Sequence, residues 1–184
     1  GVRMMKPIAD LDDLLIRAGN ARIFGTKMRS VIAESSPEGI KDIVAQQFDV
    51  AEKILSRDLV PIIEPEISID APDKLACEKL LKDELKIHLD RLGPDEKVML
   101  KLTLPEDADF YASLIEHDNV LRVAALSGGY DRGEACARLA QNRDMIASFS
   151  RALTEGLHVD QTEDEFNDHL SAAIDKIYRA SAQP

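Results

Sequence analysis

Charged residues recur inside short apolar runs of this chain, where a strand buried under helices on both faces should carry almost none. Side chains alternate across an extended backbone, so Ile23, Gly25, Lys27 and Arg29 share one side of their run. Val60, Ile62, Glu64 and Glu66 share a side of a second run, and Met99, Lys101 and Thr103 a side of a third. Two lysines, an arginine and two glutamates thus lie toward the C-terminal ends of three runs. A lysine among Val98, Leu100 and Leu102 and near other cations has its ammonium form disfavoured, which makes Lys101 a candidate neutral amine able to attack a carbonyl. Glu64 on another run can shuttle protons in carbinolamine dehydration and carbon–carbon cleavage, steps that need an acid and a base at one place. Farther on, LSGGY (126–130) follows an apolar run and opens a helix, so the amides of Ser127, Gly128 and Gly129 can cradle a phosphate. Arg151, in ASFSRAL (147–153), supplies a cation.

Each feature also has a plainer reading. A strand-end lysine or glutamate can be structural or solvent-facing, EPE can be a proline-marked strand exit, and SGG can be an ordinary turn. The elements that would position these residues alternate along the chain. A helix is expected over Leu11–Ala18, capped by Asp10 and stopped by Gly19, then a strand over Ile23–Arg29. A long helix follows, with Ser36 as N-cap, Pro37 first, and Ile40, Ile43, Val44, Phe48, Val50, Ala51, Ile54 and Leu55 at helical intervals. Strands over Leu59–Glu66, Lys97–Thr103, Val120–Leu126 and Met145–Phe149 alternate with helices over Asp73–Leu92, Glu106–Ile115, Arg132–Gln141 and Thr162–Ala180. Five strands, each followed by a helical segment, mean a parallel sheet in an α/β fold. A five-stranded doubly wound sheet suits 184 residues. Eight units at roughly 37 residues each would need roughly 295, which length alone disfavours. The charged strand ends argue for a barrel, because inward positions near strand C-termini form the floor of a barrel's active site.

No internal linker divides the chain, which reads as a single domain over residues 1–184. Hydrophobic residues are 45% and charged residues 31%, a globular composition. With 23 Lys and Arg against 34 Asp and Glu, the net charge of −11 repels phosphate backbones and anionic lipid, so neither nucleic acid nor membrane is an expected partner. No apolar run approaches a membrane span, and the N-terminus lacks a signal peptide's apolar core, so a cytoplasmic protein is expected. Cys77 and Cys136 read as structural thiols in helices. Met4, Met5, Phe24, Phe48 and Phe149 read as packing residues. His88, His117, His158 and His169 never pair at ligand spacing, so metal is not expected.

FGTKMRS, LVPIIEPE, VMLKLT, LSGGY and SFSRAL, in this order and spacing, resemble the class I (Schiff-base) fructose-bisphosphate aldolases, in particular their bacterial branch, from Gly1 to Ala180. The resemblance implies a (β/α)8 TIM barrel, here incomplete with about five βα units matching barrel strands four to eight. It implies metal-independent, reversible cleavage of fructose 1,6-bisphosphate to dihydroxyacetone phosphate and glyceraldehyde 3-phosphate, with a sugar phosphate as partner and no cofactor beyond the imine on Lys101. By resemblance Glu64 handles proton transfers, Glu66 orients the lysine, Lys27 contacts substrate and helps keep Lys101 unprotonated, and Arg29 contacts substrate. Ser127, Gly128, Ser150 and Arg151 match the positions that hold the dihydroxyacetone phosphate group, with Gly129 and Ser148 completing their loops.

Departures accompany the match. The family's first-strand aspartate, its serines for the second phosphate and its third-strand lysine have no counterpart, so the chain reads as starting after the third strand. The sequence ends in Ser-Ala-Gln-Pro rather than the tyrosine tail of animal forms, and Ser150 replaces their glycine. Two alternatives stand beside this reading. One is a Schiff-base aldolase for another phosphorylated sugar. The other is an inactive remnant whose two unpaired strand edges lead it to self-associate.

Overall fold

The computed structural model describes residues 1–182; Gln183 and Pro184, the end of the Ser-Ala-Gln-Pro sequence, lie outside the described residues. The elements run β1 (Val2–Arg3), α1 (Leu11–Asn20), β2 (Gly25–Ile32), α2 (Pro37–Leu55), β3 (Val60–Ile67), α3 (Lys74–Leu89), β4 (Val98–Thr103), α4 (Ala112–Ile115), β5 (Val120–Leu126), α5 (Arg132–Leu139), β6 (Met145–Ala147), α6 (Arg151–Thr154) and α7 (Glu163–Ser181). The six strands form one sheet in the sequential order β1 to β6, parallel throughout except for β1.

That order decides between the two architectures. A doubly wound sheet must reverse its strand order to place helices on both faces, whereas sequential parallel strands with one-handed crossovers put every helix on the same face. The helix-facing side carries Met28, Ile32, Ile63, Ile67, Leu100, Leu102, Val123 and Ala125, all buried. Against it pack Ile40, Ile43, Val44, Ala51 and Ile54 of α2 and Cys77, Leu81, Leu85 and Leu89 of α3. Each of the Val, Leu, Ile and Met side chains among them contributes about 1.5–3 kcal/mol relative to exposure. The opposite face mixes the charged Lys27, Arg29, Glu64, Glu66 and Lys101 with apolar residues such as Ile62, Met99 and Ala124. The sheet is that of a partial, unclosed barrel, since its linear order leaves β6 unpaired with β1 or β2.

Several boundaries differ from expectation. The second strand runs from Gly25 to Ile32, not Ile23 to Arg29. It begins at Gly25 because a Cβ there would lie 2.2 Å from the Val60 carbonyl oxygen, so glycine permits the close approach of β2 to β3. Ile23 and Phe24 are 50% and 63% exposed, and Phe24 and Met4 are therefore not packing residues. Gly19 does not stop α1, which ends at Asn20, and the Asp10 side chain makes no cap hydrogen bond. The helix expected over 106–115 contracts to the single turn of α4, and α3 ends at Leu89. Neither β1 nor α6 was anticipated.

The sheet edges also differ. β1 pairs antiparallel with the end of β2, Val2 opposite Ile32 and Arg3 opposite Val31. On the other edge the Ala147 amide donates to Ser181 Oγ at 3.0 Å, so α7 covers part of β6. The edges are thus partly occupied rather than wholly unpaired. Among the described residues, no helix is long and apolar enough to cross a membrane.

Cys77 and Cys136 are both buried, on α3 and α5. Burial, with the Asp73 charge adding to it, pushes the Cys77 thiol up to about 11, and burial raises Cys136 as well. A raised thiol pKa lowers the thiolate fraction, to roughly one part in a thousand at pH 8 for Cys77. Neither cysteine should therefore be alkylated by iodoacetamide at pH 8 in the folded protein, and both should be after denaturation. Rapid native labelling of Cys77, read by mass, would contradict this burial.

Candidate active site

A cavity of about 510 Å³ opens at the C-terminal ends of the strands, on the face turned away from the helices. β2 contributes Lys27 and Arg29, β3 contributes Glu64 and Glu66, and β4 contributes Lys101. The exit of β5 adds Leu126, Ser127 and Gly128, and the segment after β6 adds Ser148, Ser150 and Arg151. Every residue singled out in the sequence lines this cavity except Gly129, which borders an adjoining groove together with Tyr130 and Arg151.

Glu64 lies at the centre. Its side chain is only 4% exposed, with Lys27 Nζ 2.7 Å from Oε2 and Lys101 Nζ 3.3 Å from Oε1. The Lys27 ammonium meets Oε2 outside the directions of a hydrogen bond, so that oxygen keeps unused accepting capacity. Beside this trio, Arg29 Nε donates to Glu66 Oε2 at 2.6 Å, and the Glu66 hydrogen bond and charge hold the guanidinium above its ordinary pKa. Among the described residues lining the cavity, Arg151 is the cation without an ion pair.

The apolar neighbours expected around Lys101 are not there. Val98, Leu100 and Leu102 are buried on the helix-facing side of β4, because side chains alternate along a strand. The Lys101 ammonium instead meets a carboxylate.

Local backbone chemistry opens the seam between Glu64 and Lys101. The Val60 and Ser68 amides point to β2, while the Ile67 amide points to β4, so by alternation the nitrogens of Pro61 and Pro65 also face β4. Neither proline can donate. β3 and β4 are in register only at Ile62 with Met99 and Ile63 with Leu100. Beyond them Thr103 Oγ1 replaces the ladder, accepting from the Ile67 amide at 3.0 Å and donating to the Ile67 carbonyl at 2.7 Å.

The chain leaving β4 is clamped from behind. Buried Lys74 donates to the Leu104 carbonyl at 2.8 Å and pairs with Glu78 and with Glu106 at 2.9 Å, while Glu78 also accepts from the Glu106 amide. Burial pushes the Glu78 carboxyl up despite the opposing Lys74.

At the far wall, Gly128 has φ +65° and its absent Cβ would lie 2.7 Å from Ile69 Cγ2, so the turn requires glycine. The turn does not lead straight into a helix N-terminus. Asp131 caps α5 by accepting from the Glu134 amide at 2.8 Å, so an anion here would meet loop amides and hydroxyls rather than free first-turn amides.

Two residues tied to this geometry were missed by sequence reasoning, Thr103 in its bridging role and Gln47. Gln47 Oε1 accepts from the Glu64 amide at 2.9 Å. The signal was present, since Gln47 is a polar residue on the apolar stripe of α2.

No family model matches the chain. A solved structure of fructose-bisphosphate aldolase from Plasmodium falciparum, in complex with TRAP and a small-molecule inhibitor, is similar with a TM-score of 0.60 and 17% sequence identity. The match covers 98% of this chain and 64% of that one. At that identity the likeness is one of fold, an α/β architecture similar to an aldolase barrel, and this chain spans less than two thirds of its neighbour's length.

Proposed function

We propose that this chain carries the imine-forming site of a class I fructose-bisphosphate aldolase, which reversibly cleaves fructose 1,6-bisphosphate to dihydroxyacetone phosphate and glyceraldehyde 3-phosphate. The observation that carries the reading is Lys101 Nζ 3.3 Å from the buried Glu64 carboxylate, across a cavity from Ser127, Gly128, Ser150 and Arg151. The aldolase-like fold supports it.

The chemistry closes on these two groups. Lys101 passes a proton to Glu64 and attacks the C2 carbonyl as a free amine, giving a carbinolamine. Glu64 returns that proton to the departing hydroxyl, and water leaves an iminium. The C3–C4 bonding pair flows into the iminium as Glu64 takes the proton from the C4 hydroxyl, releasing the aldehyde and an enamine. Glu64 then protonates C3, and water hydrolyses the iminium to free Lys101. Lys27 faces the same carboxylate at 2.7 Å, and Glu66 holds Arg29 at the rim.

The test is borohydride reduction of the folded protein with dihydroxyacetone phosphate, followed by peptide mass analysis. An adduct on the Lys101 peptide is expected. No adduct on folded protein, or one elsewhere, sinks the assignment and leaves the remnant reading. Arg151→Ala should keep the adduct but raise the ketone phosphate concentration needed for half-maximal trapping about 10- to 100-fold, the weight of a charge-assisted hydrogen bond. An unchanged requirement would remove Arg151 from the phosphate site. A second reading, another phosphorylated ketose, is favoured by the single unpaired cation at that wall, and a panel of ketose phosphates separates the two.

A further inference from the structure

We infer that Gln47 is a positioning residue that sets the Glu64 carboxylate against Lys101, an inference that rests on the reading of these two as the reacting pair. Gln47 is fully buried on α2, among Ile43, Val44, Phe48 and Ala51. Its Oε1 accepts from the Glu64 amide at 2.9 Å, while its Nε2 is buried with no hydrogen-bond partner. An apolar side chain of the same length would avoid burying the unpaired Nε2 but would strand the Glu64 amide, so what glutamine adds over packing is this one hydrogen bond.

The hydrogen bond gives the residue its use. Pro65, directly after Glu64, has no amide to offer β4, and the β3–β4 register ends at Ile63 with Leu100. By the same alternation the Glu64 amide faces β2, where Arg29 is its register partner, and its hydrogen bond to Gln47 ties this point of β3 to the helix layer. The carboxylate on that backbone is the group that Lys27 and Lys101 both face. Withdrawing the Gln47 carbonyl lets the Glu64 backbone move, and with it the carboxylate that faces Lys101. The charged groups around this pair are Lys27 and Arg29 from β2, Glu66 from β3 and Arg151 from the segment after β6.

The experiment compares wild type, Gln47→Met and Gln47→Glu, the last retaining an acceptor oxygen. Two readouts are taken on the full chain. The first is the pH dependence of Lys101 modification by trinitrobenzenesulfonate, read by peptide mass. The second is the rate of borohydride trapping with dihydroxyacetone phosphate. Gln47→Met, which leaves the buried Glu64 amide without its acceptor, should fold but melt below the wild-type temperature, shift the pH of half-modification by about half a unit or more, and slow trapping about tenfold. Gln47→Glu should stay near wild type in both. Superimposable Lys101 profiles for wild type and Gln47→Met overturn the inference. If Gln47→Met fails to fold, Gln47→Asn, which withdraws the carbonyl by one methylene, is read by the same criteria. Absence of trapping in wild type would overturn the proposed reaction alone, because the modification profile needs no substrate and still reports whether Gln47 controls the pair.

Discussion

Lys101→Met is expected to abolish the borohydride adduct and lower aldol cleavage by on the order of 10⁴-fold or more, while the protein still folds. Methionine keeps an unbranched apolar stem of similar length on β4, so the concave wall loses an ammonium but little volume. The usual hazard of removing one partner from an ion pair is a stranded buried charge. Here Glu64 keeps Lys27 at 2.7 Å, so the carboxylate retains a counter-charge. Activity and folding should therefore separate, and a melting curve beside the mass spectrum checks both. Wild-type turnover in this variant, or an adduct that persists, would mean that another amine forms the imine.

Glu64→Gln should lower turnover about 10²- to 10⁴-fold, the range of a positioned acid–base group, while making Lys101 easier to modify. The sign follows from charge. Removing the Glu64 carboxylate, 3.3 Å from Lys101, leaves Lys27 and Lys101 facing one another without the intervening anion. Like charges disfavour each other's protonation, so the pH of half-modification of Lys101 should fall. A more available nucleophile in a slower enzyme separates proton transfer from nucleophile activation. If turnover rises with amine availability, Glu64 does not move protons in the slow step.

The two largest effects fall on residues that strand periodicity had already placed on one side of their runs. Period-two alternation is a local property, so Lys27, Glu64 and Lys101 were legible as inward-facing from a few neighbours each. The same rule assigns Leu100 and Leu102 to the opposite side. Surrounding Lys101 with them treated neighbours in sequence as neighbours in space, and the structure corrects that. Gln47 was visible as a break in the apolar stripe of α2, but its partner is seventeen residues away on another element. The two-residue β1 carries too little pattern to announce itself, and it exists because Ile32 and Val31 offer an edge.

By itself, the sequence determined the alternation of strand and helix and the side of each strand on which charge lies. Those follow from short-range sterics and from the burial of apolar stripes. The tertiary structure alone decided that the strands lie in sequential order with helices on one face, that two prolines open the β3–β4 seam, and that Glu64 stands between Lys27 and Lys101. These depend on which strands pair and in what register. Pairing joins residues far apart in the chain, and no local pattern records the resulting distance between two charged atoms.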